Sequence, residues 1–246
     1  DPAAPRRPTA PTAAPLAAGG YRSVTSAPMT IKRVGIVGSG IMGSGIAEVA
    51  AKTGHEVVLR SRKQETADAM VASLTKSLAK QVERGKLSEE DRDAALARVT
   101  ATDHIGAVAD CDLVIESVVE DMDVKKALFT ELDGICKASA IIATNTSTLS
   151  VIDMAVATQR PDQVVGVRFF NPAPMMSLVE IVRPLTASDE TVAAVTEFAR
   201  TCGKDPVEVK DRAGFIVNAL LFPYLNNAVR MLENGTASRD DIDTAM

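Results

Sequence analysis

From residue 31 onward the sequence predicts a doubly wound α/β sheet followed by the beginning of an all-helical domain. Three observations carry this. Short apolar runs alternate with amphipathic helical stretches, and the first such run leads straight into a glycine-rich turn. Beyond residue 210 the strands stop and capped helices take over. The expected division is therefore an N-terminal extension (1–30), a strand–helix domain (31–210) and an incomplete helical domain (211–246).

Residues 1–30 are rich in Ala, Pro, Thr and Arg, with a single acid and no apolar periodicity. Such a segment cannot offset its ordering entropy and is expected to be disordered. Its prolines break the amphipathic helix that a transit peptide needs. Ile31–Val37 then reads as the first strand and runs into Gly38-x-Gly40-x-x-Gly43, with helix-forming residues immediately after. In that context Gly38 permits the tight turn, Gly40 lets backbone approach a pyrophosphate, and Gly43 lets helix and strand pack closely. Ile41 and Met42 stand at the helix N-terminus, where unpaired N–H groups and the dipole favour an anion. The turn predicts a dinucleotide site.

Glu56–Arg60 is the next apolar strand, and a carboxylate for the ribose 2′-OH is expected at its end. The chain instead offers Arg60-Ser61-Arg62-Lys63. A guanidinium beside a small hydroxyl suits a 2′-phosphate, so NADP is favoured over NAD, with Ser61 and Arg62 as its ligands. Gln64–Gly85 is a long amphipathic helix ending at a glycine, and Ser88 caps another with acids in its first turn. Leu113–Glu116, Ala140–Thr144 and Val164–Phe169 have the short apolar character of buried parallel strands. Between them Asp123–Cys136 repeats Val124, Leu128, Leu132 and Ile135 at helical spacing. Asp205-Pro-Val-Glu-Val is one further strand. A helix is then expected from Asp211 to Asn234-Gly235, and Ser238 caps a last one that Met246 cuts. Two helices cannot bury their apolar faces alone, so the remainder of that domain is expected beyond this sequence.

Composition excludes several classes. An apolar content of 46% with a net charge of −5 describes a mildly acidic globular protein. Basic residues are scattered and aromatics too few for base stacking, so no nucleic-acid partner is expected. No apolar run approaches the ~20 residues of a membrane span. Cys111, Cys136 and Cys202 are odd in number and lack C-x-x-C spacing, which suits reduced thiols in a cytoplasm. His55 and His104 have no partners at ligand spacing, so no metal site is expected.

Four segments ask for a chemical explanation. Asn145-Thr-Ser147-Thr follows a strand and places polar groups at the carboxyl-end crevice. Val167-Arg168-Phe-Phe-Asn171-Pro-Ala-Pro174 ends another strand in a rigid turn. Glu180 lies within the apolar run Leu178-Val-Glu-Ile-Val, where a carboxylate needs a partner. Asn218 lies within an apolar helix and needs a hydrogen-bonding reason.

Together with Ile115-Glu-Ser-Val-Val-Glu120 and Gly214-Phe-Ile-Val-Asn218, these segments resemble the 3-hydroxyacyl-CoA dehydrogenases, most closely the bacterial 3-hydroxybutyryl-CoA dehydrogenases. The resemblance runs from about Val34 to Met246 and implies a Rossmann-type domain followed by a helical domain that dimerises. It implies an NAD(P)-dependent oxidoreductase of fatty acid metabolism, acting on an acyl-CoA substrate as a cytoplasmic homodimer. It implies that Ser147 and Asn218 hold the 3-oxygen, and that Glu180 orients the catalytic base. Glu120, Lys125, Ser147 and Asn171 match residues around the nicotinamide half. Ser77 matches a residue contacting coenzyme A, and Arg84 or Lys86 lies where the family contacts nucleotide phosphates. The chain departs from the family twice. The ribose acid is replaced by Ser61 with Arg62 beside it, and the family's general-base histidine is replaced by Arg168. A guanidinium has no free lone pair with which to take a proton. The resemblance therefore leaves two expectations, an enzyme of weakened or altered catalysis and a homologue that binds without turnover.

Overall fold

The computed structural model describes residues 29–246; the expectation for residues 1–28 lies outside that range. The strands are β1 (Arg33–Val37), β2 (Glu56–Arg60), β3 (Val99–Thr102), β4 (Leu113–Glu116), β5 (Ile141–Thr144), β6 (Val164–Phe169), β7 (Leu178–Arg183) and β8 (Asp205–Lys210). The helices are α1 (Ile41–Lys52), α2 (Gln64–Glu83), α3 (Glu89–Ala97), α4 (Met122–Ile135), α5 (Val151–Ala155), α6 (Asp189–Thr201), α7 (Val217–Glu233) and α8 (Arg239–Ala245). The strands form one sheet in the order β3-β2-β1-β4-β5-β6-β7-β8. The order reverses direction between β1 and β4, the switch point at which such sheets bind ligands.

Both faces of the sheet are covered. Val34 and Ile36 of β1 enter one apolar core, while Val37 of the same strand enters the other. This explains why the central strands read as continuous apolar runs rather than alternating ones. Side-chain hydroxyls of Ser88, Ser188 and Ser238 accept from the third residue of α3, α6 and α8, as N-caps do. Among the described residues no helix is long and apolar enough to cross a membrane.

Three sequence expectations need correction. The sheet is not wholly parallel, because β7 runs antiparallel to β6. That reversal sets Arg168 directly opposite Glu180. Second, β3 and α6 are regular elements that apolar periodicity did not single out; β3 is a half-exposed edge strand of four residues. Third, the C-terminal helix begins at Val217, not Asp211. Gly214 and Phe215 adopt positive φ values of 80° and 50°, so the chain turns before the helix can start.

Candidate active site

The glycine turn is built by two steric demands and one opening. A Cβ on Gly38 would lie 2.1 Å from the Ser117 carbonyl oxygen, and one on Gly43 would lie 2.3 Å from that of Gly38. Both positions therefore require glycine for packing. A Cβ on Gly40 would meet nothing within 4 Å, because that residue faces open space at the start of α1. No acid occupies the first turn of α1, and its N-cap is Gly40 itself. An anion can thus reach the helix N–H groups unopposed. A cleft of about 720 Å³ extends from Gly38 and Gly40 past Ser61 and Arg62 to Ser117 and Leu128. This geometry fits an extended dinucleotide with its pyrophosphate at Gly40. The cofactor supplies the hydride acceptor or donor when bound.

Ile41 stands 78% exposed at the mouth of a second cleft, whereas Met42 packs against the apolar core, so Met42 can offer only backbone. Ser61 departs from its expected role. It is 2% exposed, and its hydroxyl is paired with Thr66 Oγ1, whose own proton goes to the Lys63 carbonyl. Ser61 must therefore donate to Thr66, and it keeps no proton for a phosphate. Arg62 stays exposed on the cleft wall, while Arg60 Nε donates to the Asp103 carbonyl at 3.3 Å.

The second cleft, about 400 Å³, lies between α1, α2 and the turn after β6. Ser77 and Asn171 line it together with Ile41, Ser44 and Glu48. Arg84 and Lys86 do not: both are exposed at the far end of α2, beyond the lining. The α2 helix carries them past the cleft that Ser77 reaches.

At the carboxyl ends of β4, β5 and β6 the remaining candidates form one hydrogen-bonded chain. Glu116 is fully buried; its Oε1 accepts from Lys125 Nζ (2.6 Å) and Val118 N (2.6 Å), and its Oε2 accepts from Thr144 Oγ1 (2.7 Å). Lys125 also faces Glu120 at 3.3 Å. Glu120 accepts from the Thr146 hydroxyl and from Ser147 N (2.9 Å). Burial pushes the Glu120 carboxyl up, but the Thr146 hydroxyl, the Ser147 N–H and the Lys125 ammonium outweigh it and hold it below the usual glutamate range. The Ser147 carbonyl accepts from Asn218 Nδ2 (3.1 Å), so both backbone groups of Ser147 are fixed. Asn218 Oδ1 accepts from Arg168 (3.0 Å), and Arg168 donates to Glu180 Oε2 (2.6 Å).

Glu180 completes the chain. Its Oε1 accepts from Ile216 N (3.0 Å) and Val217 N (2.9 Å) at the start of α7. The carboxylate thus ties the sheet to the helical segment and occupies a helix N-terminus, where negative charge is favoured. The Arg168 guanidinium lies 4.4 Å from the Phe170 ring centroid. Sequence reasoning singled out Ser147, Arg168, Glu180, Asn218, Glu120 and Lys125, and the structure joins all six. It missed Glu116 and Thr146. Glu116 carried the same signal as Glu180, a carboxylate inside an apolar strand, whereas Thr146 carried none.

Comparison with known proteins agrees with this architecture. Residues 33–212 match the family described as "3-hydroxyacyl-CoA dehydrogenase, NAD binding domain", and residues 214–246 match its C-terminal domain. A 3-hydroxybutyryl-CoA dehydrogenase from Mycobacterium tuberculosis is 46% identical over 222 residues, covering 88% of this chain and 76% of that protein. One from Clostridioides difficile is 44% identical over 214 residues, covering 87% and 76%. The crystal structure of (S)-3-hydroxybutyryl-CoA dehydrogenase from Ralstonia eutropha superposes with a TM-score of 0.85 at 40% identity, covering 86% of this chain and 75% of that one. The glycine turn, the crevice network and these matches place the chain in the 3-hydroxyacyl-CoA dehydrogenase family, as an NAD(P)-dependent oxidoreductase fold.

Proposed function

We propose that this chain transfers a hydride between a nicotinamide cofactor, NADP in preference to NAD, and C3 of a short-chain 3-hydroxyacyl-CoA or 3-oxoacyl-CoA, with 3-hydroxybutyryl-CoA as the first candidate. The observation that carries the reading is the continuous chain Glu120–Ser147–Asn218–Arg168–Glu180 beside the glycine turn. Asn218 uses one Nδ2 proton on the Ser147 carbonyl and keeps the second for a substrate oxygen. Ser147 presents its hydroxyl from an immobilised backbone. Arg168 places positive charge where the 3-oxygen becomes negative, and electrostatic stabilisation of that kind is a large catalytic contribution. It cannot accept the O3 proton, which therefore passes to water. The C3–H bond breaks with its electron pair leaving as hydride, and the O3–H bond breaks with its proton going to solvent.

NADP preference rests on the exposed Arg62 at the end of β2, with no acid at that position. A charge-assisted hydrogen bond to phosphate contributes roughly 1.5–3 kcal/mol, enough for at least a tenfold preference. Rates with acetoacetyl-CoA test both points. The expected result is turnover with kcat/KM at least tenfold higher for NADPH than NADH, inverted by Ser61→Asp with Arg62→Gln. A protein that already prefers NADH contradicts the cofactor assignment.

One observation favours a second reading, a CoA- and dinucleotide-binding homologue without turnover: Arg168 is already held by Glu180, Asn218 and the Phe170 ring. Binding of both ligands without NADPH oxidation would select it. The helical segment 211–246, most of which matches the family's C-terminal domain, is read as part of the domain through which a homodimer forms, in a cytoplasm that suits three free thiols. Among the residues of α7 none is buried, and Leu220 and Phe222 are 69% and 58% exposed. Light scattering on residues 29–246 should show self-association; a monodisperse monomer contradicts it.

A further inference from the structure

Lys204 precedes β8, outside the crevice network, and is only 8% exposed. Its ammonium donates to the Ala173 carbonyl at 2.7 Å and to the Met176 carbonyl at 2.9 Å. Among the described residues it makes no ion pair. Burying an ammonium against neutral carbonyls is costly, and the geometry fixes both of those carbonyls to one point. Those carbonyls belong to the turn that follows β6. The turn closes on itself, with Met175 N and Met176 N both donating to the Pro172 carbonyl at 2.9 and 3.0 Å. Its residues Asn171 to Pro174 form one wall of the second cleft, opposite Ser77 and Glu48. The turn also leans on α1 at Gly45, itself part of the cleft lining, where a Cβ would lie 3.1 Å from Ala173 Cβ and 3.3 Å from Pro174 Cδ. The wall is thus clamped between a glycine and a buried ammonium.

We propose that Lys204 is a positioning residue for the acyl-CoA substrate: by holding the Ala173 and Met176 carbonyls it sets the wall of the cleft in which the CoA arm lies. This rests on the reading that the second cleft, lined by the Ser77 that the resemblance assigns to coenzyme A, receives that group. Lys204 touches neither the dinucleotide cleft nor the Ser147–Arg168 network, and the carbonyls it holds lie past Asn171 in the turn, so its loss falls first on acyl-CoA binding.

The test measures the Kd of acetoacetyl-CoA by titration calorimetry, the Kd of NADPH by fluorescence, and kcat, in four proteins. These are the wild type, Lys204→Met, Lys204→Gln and Lys204→Arg. Lys204→Met should weaken acetoacetyl-CoA binding at least tenfold, with NADPH affinity and kcat within threefold of wild type. Lys204→Arg, which restores the charge and its donors, should recover most of the affinity, and Lys204→Gln, which keeps a neutral donor, should fall between. Unchanged acetoacetyl-CoA affinity in Lys204→Met overturns the proposal, as does an equal loss of NADPH affinity. If the wild type itself does not bind acetoacetyl-CoA, the functional reading above fails as well. If Lys204→Met does not fold, Lys204→Gln decides the matter by the same criteria.

Discussion

Two buried cations stand near the carboxyl ends of β4 and β6, and they are enclosed in different ways. Lys125 faces two carboxylates, Glu116 at 2.6 Å and Glu120 at 3.3 Å. Arg168 faces one, Glu180 at 2.6 Å, whose other oxygen is taken by two N–H groups of α7. The lysine cluster therefore carries excess negative charge and leaves Glu120 38% exposed, where it holds Ser147. The arginine pair is neutral and closed by Asn218 and the Phe170 ring. The contrast separates architecture from chemistry. The open cluster orients a loop, while the closed one fills the position from which the resemblance places a proton-accepting histidine.

The largest effect that breaks this comparison is on stability. Lys125→Met leaves the fully buried Glu116 without its counter-charge, and breaking a buried pair in this way costs about 3–5 kcal/mol. At this chain length that corresponds to roughly 6–20 °C in Tm. Calorimetry checks it. A loss below about 1 kcal/mol would mean that the cluster is not what fixes the β4–α4 junction.

A smaller effect sharpens the comparison through pH. Glu120 is held below its ordinary value of 4.5, so the folded state keeps the charged form longer than the unfolded chain does. Its contribution is complete above pH 4.5 and is lost as pH falls through the lowered folded value. Glu120→Gln should therefore remove part of the acid-induced drop in Tm below pH 4.5 and leave the slope above pH 6 unchanged. An unchanged acid slope would show that the ordering of Ser147 does not depend on that charge.

Much of this was legible in the sequence, for physical reasons that differ by region. Strands buried on both faces announce themselves by continuous apolar residues, and the glycine turn by spacing, because Gly38 and Gly43 answer steric demands while Gly40 leaves the helix N-terminus open. Glu180 and Asn218 stood out as polar groups where only apolar ones belong. What stayed hidden depends on contacts distant in sequence. Lys204 reads as an ordinary surface lysine until the turn 173–176 folds over it. The committed hydroxyl of Ser61 depends on Thr66, and its spacing says nothing of which proton goes where. The antiparallel reversal at β7 leaves no local signature, yet it brings Arg168 and Glu180 together.

The central claim is that Arg168 occupies the proton-transfer position without being able to accept a proton. Single-turnover reduction of acetoacetyl-CoA by NADPH, compared between the native protein and Arg168→His from pH 6 to 9, tests it directly. Positioned general acid–base catalysis contributes roughly 10²–10⁴-fold, so Arg168→His should gain at least tenfold with little change in cofactor affinity. Its rate should bend at the titration of the new imidazole, a bend the arginine protein lacks. Equal rates and identical pH profiles for the two proteins would contradict the claim and place the proton-transferring group elsewhere.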